Sequence, residues 1–367
     1  MANMATILEK ELDLSVLING THGISICLLL SLLCLDSLRE LILKKYYCIE
    51  HKRFRFDPIL LLKLAAVRNF RNLTYKSIGF NVSPDECEIL GIPKIDGIFR
   101  IPAGSTVHHF VKTRLGVDGF NEIMAYIAQE IKNMLPDEVG IIDSTPNEAS
   151  RYDLYADFNP HYRIKMYKSH IFHLGDAPLF MLFSNGNGSD MTYAKPLVSK
   201  VASLISDLHE VFADAAYDSF EFHSQIWHEL GAHPYIDWRE NAVVNPEGTL
   251  ERIDHWVNKG WKRGGDVHAT IEEKLTFLYE SGREEQVGMF LRNINLSDPF
   301  FEEKYQIRGD CEKTHNHIKS IVKFDVRKTR EESKEFNILL NFVSYQLLIL
   351  ARLQNDLFPI HGFAEYA

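Results

Sequence analysis

A tyrosine, an arginine, a glutamate and a lysine stand at Tyr305, Arg308, Glu312 and Lys319, at offsets of 3, 7 and 14 from the first. In an α-helix, steps of three, four and seven return a side chain to nearly the same azimuth, so the four share one face. One carboxylate then sits in a basic stripe tipped by an aromatic ring. That combination suits a divalent metal beside a phosphate, with the carboxylate as ligand and the cations on phosphate oxygens.

A charged stripe alone is ordinarily a solvated helix face with weak ion pairs, so the chemistry needs partners from elsewhere in the chain. Two aspartates qualify. Asp143 ends the apolar run Val139–Ile142 before Ser144-Thr145-Pro146, and the chain is expected to leave its sheet there. Asp214 ends Val211–Ala213 before Ala215-Ala216-Tyr217. One such aspartate is most often a turn former or a cap. Two of them, together with Glu312, make a set of three carboxylates that can hold a pair of divalent ions roughly 3.5–4 Å apart for in-line phosphoryl displacement. The expected metal ligands and catalytic groups are therefore Asp143, Asp214 and Glu312. Hard oxygen donors favour Mg²⁺, with Mn²⁺ as a substitute. Arg308 and Lys319 are expected on phosphate, with Tyr305 donating to a phosphate oxygen. Of the neighbouring acids, Asp218 reads as a cap for the following helix and Asp310 as lying off the Glu312 face. The 16 histidines, His315 and His317 included, show no metal-ligand spacing such as HExxH.

The elements that must position these groups follow from hydrophobic period. Val139–Thr145, Tyr162–Phe172 and Pro178–Ser184 read as three strands, followed by a helix over 191–208, a strand at Glu210–Asp214, a helix over 219–230 and a short strand at Pro234–Asp237. The order β-β-β-α-β-α, closed by that short strand, is a mixed α/β sheet in the order of the ribonuclease H fold. Before it, residues 58–134 read as several helices, one of them opened by Ser105 or Thr106 as cap. The chain divides into a helical segment 1–50, a helical region 51–135, a first core part 136–238, an insertion 239–300 and a second core part 301–367 that carries the Glu312 helix.

Composition narrows the class. With 367 residues and 46% hydrophobic content the chain buries a substantial core, which excludes disorder. A formal net charge of −10 argues against a protein that coats polyanions over its whole surface. Basic residues nevertheless cluster between His51 and Val117 and again between Lys304 and Arg330. Five cysteines without a CxxC pair indicate neither a disulfide scaffold nor a zinc knuckle, and point to a reducing cytoplasm. The apolar run Ile24–Leu35 is too short to span a bilayer and reads as a buried helix, so no membrane is expected.

Tyr305, Arg308, Glu312 and Lys319 form a Y-x2-R-x3-E-x6-K motif, and with the contexts Ile141-Ile142-Asp143-Ser144-Thr145 and Ala213-Asp214-Ala215-Ala216-Tyr217-Asp218 the chain resembles a DDE transposase of prokaryotic insertion sequences. Tyr167-Lys168-Ser169-His170 on the second strand resembles the family as well. The resemblance covers roughly 58–350. It implies a ribonuclease H-like core, metal-dependent nicking of double-stranded DNA at element ends, and attack of the freed 3′-hydroxyl on target DNA by a homo-oligomer. It also implies that residues 51–135 bind element ends, that 239–300 interrupts the core within the separation of 98 from Asp214 to Glu312, and that Trp256 or Trp261 stacks on a flipped base. Two rival readings use the same residues. One is a transposon-derived DNA-binding protein that no longer moves DNA, and the other is a nuclease with the same two-metal core.

Overall fold

The computed structural model describes residues 25–47, 55–136, 139–205, 208–239, 249–260, 270–322, 332–363 and 366. They form two compact units, one drawn from the described residues of 1–123, 320–323 and 340–367, the other from those of 124–319 and 324–339.

The first unit is mainly helical: α1 (Ile26–Ser31), α2 (Asp36–Tyr46), α3 (Pro58–Phe70), a 3₁₀ turn at Tyr75–Phe80, α4 (Pro84–Ile89), a two-residue hairpin of β1 (Lys94–Ile95) and β2 (Ile98–Phe99), and α5 (Gly104–His109). A π-helical turn at Phe110–Leu115 leads into α6 (Gly116–Met134). The buried helix expected over 24–35 is α1 alone. Asp57 caps α3, accepting from the Ile59 N–H at 2.8 Å. The cap expected at Ser105 or Thr106 is not used. The cap position is Ala103, without a side-chain bond, because the helix starts at Gly104, where a Cβ would lie 1.7 Å from the Tyr75 carbonyl oxygen. Glu86 accepts from Ser25, Arg71 and the Ser83 N–H. Burial alone would raise its pKa, but these partners hold it down at about 2.

The second unit is built on one six-stranded sheet: β3 (Val139–Glu148), β4 (Asp157–Asn159), β5 (Ile164–Leu174), β6 (Ala177–Asn185), β7 (Glu210–Ala213) and β8 (His233–Ile236). Strands β3, β5 and β6 meander antiparallel, with short β4 sharing the outer edge of β5 with β6. Strands β7 and β8 then extend the sheet parallel to β3. The order, β4 and β6 beside β5, then β3, β7 and β8, is that of the ribonuclease H fold. After their first residues, Glu210 and His233, β7 and β8 are apolar because both of their faces are covered; Val211, Phe212 and Ala213 are fully buried.

Two helices follow the strands in turn: α7 (Asp190–Ala202) after β6, and α8 (Phe220–Leu230) after β7. Ser219 caps α8, accepting from the Phe222 N–H at 3.2 Å, and Gly231 ends it at a φ of +66°. The segment 239–300 carries α9 (Thr249–Gly260), α10 (Ile271–Glu280) and α11 (Glu284–Ser297), whose apolar faces form their own cluster with Trp227 of α8. Helix α11 approaches α8 so closely that a Cβ on Gly288 would lie 1.7 Å from the Phe220 carbonyl oxygen. A helical run from α12 (Phe301–Tyr305) through a 3₁₀ turn at Gln306–Arg308 to α13 (Gly309–Val322) follows, and then α14 (Glu332–Leu353). Among the described residues α14 is the one helix long and apolar enough to cross a membrane, and nearly all of that stretch is buried inside the protein.

The connection from β3 to β5 is tied down by an ion pair that hydrophobic periodicity does not reveal. Lys334 of α14, almost fully buried, donates to Asp153 and to the Tyr167 hydroxyl, and lies over the rings of Tyr155 and Tyr167 at 4.7 and 4.9 Å. Removing one member of such a pair strands the other charge. Lys334→Met is expected to lower the unfolding free energy by roughly 3–5 kcal/mol, with Asp153→Asn recovering part of the loss in that background. Urea titration of the two single variants and the double variant checks this, and strictly additive losses would count against the pair.

Candidate active site

The sheet brings the two aspartates together. In the parallel pair β3–β7, Ile142 lies opposite Ala213, so the next residue of each strand, Asp143 and Asp214, is a neighbour of the other. The two strands then diverge. Strand β7 stops, and Asp214 turns its carboxylate onto the Ala216 N–H at 2.9 Å, capping the 3₁₀ turn Ala215–Tyr217. Strand β3 does not leave the sheet at Asp143, as its sequence context suggests. It runs on to Glu148, paired with β5 alone. Pro146, which has no N–H to donate, falls in this stretch where β7 no longer pairs. Asp143 therefore marks the end of the parallel pairing rather than the end of its strand.

Arg308 stands between the acids. Its Nη2 is 3.6 Å from Asp143 Oδ1, 3.6 Å from Asp214 Oδ2 and 4.0 Å from Glu312 Oε1. The glutamate is the most solvent-exposed of the three and Asp143 the most buried. All four line one cavity of about 530 Å³, whose wall also includes Lys168, Lys319, Asp190, His315 and Tyr162. On α13, Cys311 is buried with its Sγ 3.4 Å from Asp143 Oδ2. His315 places Nδ1 3.7 Å from the same carboxylate and Nε2 3.0 Å from Nε2 of His173 on β5.

Burial is the largest influence on Asp143 and pushes its pKa up to about 6; Arg308 pulls it down and Asp214 pushes it further up. Asp214 is raised for the same first reason, against the Ala216 N–H and Arg308. Burial also lowers Lys319, partly offset by Asp143, and lowers His315 to about 3, helped by Lys319 and Arg308. At neutral pH His315 is thus an uncharged imidazole beside the carboxylates. Asp190 behaves differently: burial would raise it, but the His170 hydrogen bond and the Lys168 ammonium outweigh that and hold it low.

Of the residues singled out in the sequence, Asp143, Asp214, Arg308, Glu312 and Lys319 meet at this cavity. Tyr305 does not line it. Its hydroxyl donates to the Ala213 carbonyl at 3.1 Å, which commits its one proton to the end of β7. Asp218 is not a helix cap, since Ser219 fills that position; it lies 3.0 Å from Arg292 of α11 and 3.5 Å from His223. Asp310 bonds Lys313. Trp261 and the side chain of Trp256 lie outside the described residues. Lys168, Asp190 and His315 were not assigned from sequence. Lys168 Nζ is 3.2 Å from both Asp190 oxygens, across β5 and α7, and nothing in local periodicity links them. His315, three residues after Glu312, had a helical-spacing signal. Among the described residues no three acidic, histidine or cysteine side chains already stand close enough together to enclose a metal ion, and the guanidinium of Arg308 supplies the cationic centre.

The second unit thus carries a ribonuclease H-like sheet with adjacent acids where two parallel strands part, and a third acid on a late helix. The model of the transposase DDE domain family matches residues 135–347, more than half of the chain, and the chain belongs to that family. No curated protein and no solved structure matches it significantly.

The raised pKa of Asp143 has a consequence for stability. A carboxyl that holds its proton more tightly folded than unfolded stabilises the fold at low pH, and that contribution is lost as pH rises from about 4 to about 6. Above pH 6 and without divalent ions, Asp143→Asn is expected to stabilise the protein by about 2–3 kcal/mol, and to do so much less at pH 4. Thermal unfolding at the two pH values decides it; an Asn variant less stable than the parent at pH 7 would contradict the electrostatic picture.

Proposed function

We propose that this protein cleaves double-stranded DNA at the ends of a mobile element and joins the freed 3′-hydroxyl to target DNA. The observation that carries the reading is the convergence of Asp143, Asp214 and Glu312 on one guanidinium in a cavity also walled by Lys168 and Lys319. Membership of the transposase DDE domain family supports it.

The donor set is three carboxylates with no soft ligand required, which fits Mg²⁺ or Mn²⁺. Asp143, Asp214 and Glu312 are the residues that would hold the metal, which when bound supplies an activated water or 3′-hydroxyl and a counter-charge for the leaving oxygen. The chain's own groups prepare the site. Arg308 offsets the repulsion between the acids, and a phosphate oxygen entering the cavity competes for the same guanidinium, aligning the scissile strand with the carboxylates. Lys319 faces the same space as a second phosphate contact. Tyr305 acts from behind, fixing the end of β7 and with it Asp214. Neutral His315, held against His173, fills the wall beside Asp143 without adding charge.

On this reading residues 136–238 and 301–367 are the two parts of the core, 239–300 is the insertion between them, and the basic helices of 51–135 grip element ends. The active form is a multimer on paired ends.

Duplexes carrying the terminal repeats that flank the gene, labelled and incubated with the protein and Mn²⁺, are expected to be nicked and then joined to added target DNA. Glu312→Gln is expected to lose far more than the roughly 10–100-fold that removal of an outer-shell partner costs. Cleavage that survives this substitution would sink the assignment. Binding without cleavage would mark a DNA-binding protein that kept the fold, and cleavage without joining a nuclease.

A further inference from the structure

The connection from β3 to β5 turns an ordinary surface loop inside out: it buries polar groups and exposes rings. Tyr152, Tyr155, Phe158 and Tyr162 are 73, 46, 55 and 46% exposed. Arg151 and Arg163 are exposed among them, and no acid of residues 151–163 is, since Asp153 is buried on Lys334 and Asp157 is partly buried. In a chain with a net charge of −10, a stretch with two exposed guanidinium groups and no exposed carboxylate is a local departure from the whole surface.

Polar groups hold most of this loop in shape, while Lys334 lies over the Tyr155 ring and Arg151 donates to the Tyr152 hydroxyl. Asp153 Oδ1 accepts the N–H groups of Tyr155 and Ala156 at 2.9 and 3.3 Å. Asn159 Oδ1 accepts those of His161 and Tyr162 at 3.0 and 3.2 Å. From β6, Asn185 accepts the Asp157 N–H at 2.8 Å and donates to the Tyr155 carbonyl at 2.9 Å. A backbone fixed from within presents its outer side chains pre-organised, so a ligand meets them at little ordering cost. Several large exposed rings on one loop of this kind mark an interaction surface.

The position of the loop says what it meets. Asn159, His161 and Tyr162 line the same cavity as Asp143 and Asp214, so a strand leaving the carboxylates on that side meets the loop first at the Tyr162 ring. We propose that this loop is a stacking platform for unpaired DNA bases of the strand that runs through the cavity. The inference rests on the DNA-cleaving reading of that cavity. Every base offers a flat π-face, so aromatic rings bind single strands without regard to sequence, while arginines between them take phosphates or stack in turn. A purely apolar protein partner would not call for arginines without acids, nor for continuity with a phosphate-binding cavity.

The test compares a blunt duplex of the element end with the same end carrying a single-stranded extension that includes 2-aminopurine, whose fluorescence falls on stacking. Tyr152 and Phe158 are the two most exposed rings of this loop and line no part of the cavity. Wild-type protein is expected to bind the extended end more tightly and quench its probe. The double variant Tyr152→Ala/Phe158→Ala is expected to lose roughly 5–100-fold in affinity per ring for the extended end, and little for the blunt one. Tyr152→Phe/Phe158→Tyr, which keeps both rings, is expected to behave as wild type, and circular dichroism verifies that each variant is folded. Equal wild-type affinity for the two ends, equal loss on both, or loss of self-association in place of DNA affinity would overturn the platform. If wild-type protein shows the stacking preference yet cleaves no DNA, the cleavage reading falls and the platform stands. If it cleaves DNA without the preference, the platform falls alone.

Discussion

The parallel pairing of β3 and β7 is the constraint on which the site depends. With Ile142 opposite Ala213, Asp143 and Asp214 become neighbours at the point where the two strands part. Register in a sheet buried on both faces is not free to slip, because a shift by one residue exchanges every side chain between faces. Ile141 and Phe212, one on each strand, are fully buried in a cluster with Tyr235 and Phe301, and Gly140 gives room to the Phe172 ring, which would lie 2.6 Å from a Cβ. The apolar packing that stabilises the sheet thus also fixes the spacing of two like charges. Burial is the main reason that both aspartates are raised, the Asp214 charge adds to it at Asp143, and Arg308 offsets part of the cost at each.

The helical run of α12, the 3₁₀ turn that supplies Arg308, and α13 is fastened at several points along its length. Tyr305 donates to the Ala213 carbonyl, Thr314 donates to the Asp176 carbonyl in the β5–β6 turn at 3.0 Å, and His315 meets His173. Cys311 between these anchors and Ile318 beyond them are buried. The result is that Arg308, Glu312 and Lys319 face the cavity with little freedom to rotate about the helix axis. The tyrosine of the motif, an apparent phosphate donor when only spacing is considered, serves the register of β7 in this arrangement.

Much of the architecture was legible in the sequence because its elements are strongly patterned. Parallel strands covered on both faces read as short apolar runs, and β7, α8 and β8 fall within a residue or two of their expected limits. Helix α7 stops at Ala202 rather than 208, and β4 is too short to leave a pattern. The convergence of Asp143, Asp214 and Glu312 at one cavity was legible from the apolar approach to the aspartates and the helical stripe of the glutamate. What escaped depends on contacts between distant residues. The pairing of Lys334 with Asp153, of Lys168 with Asp190 and of His173 with His315 joins positions 181, 22 and 142 apart, and no local period reports them. The start of α5 was misread because the close approach of Tyr75 to Gly104, not the chemistry of a cap, sets it.

The central claim is that Asp143, Asp214 and Glu312 act as one divalent-ion site organised around Arg308. Titrating the metal-free protein with Mn²⁺ and following free ion by electron paramagnetic resonance tests it most directly, on wild type and on Asp143→Asn, Asp214→Asn and Glu312→Gln in turn. The structure leads us to expect that each substitution weakens the same bound Mn²⁺, with the three losses far from additive because they remove ligands from one site. Mn²⁺ binding that persists unchanged in any of the three variants would contradict the account.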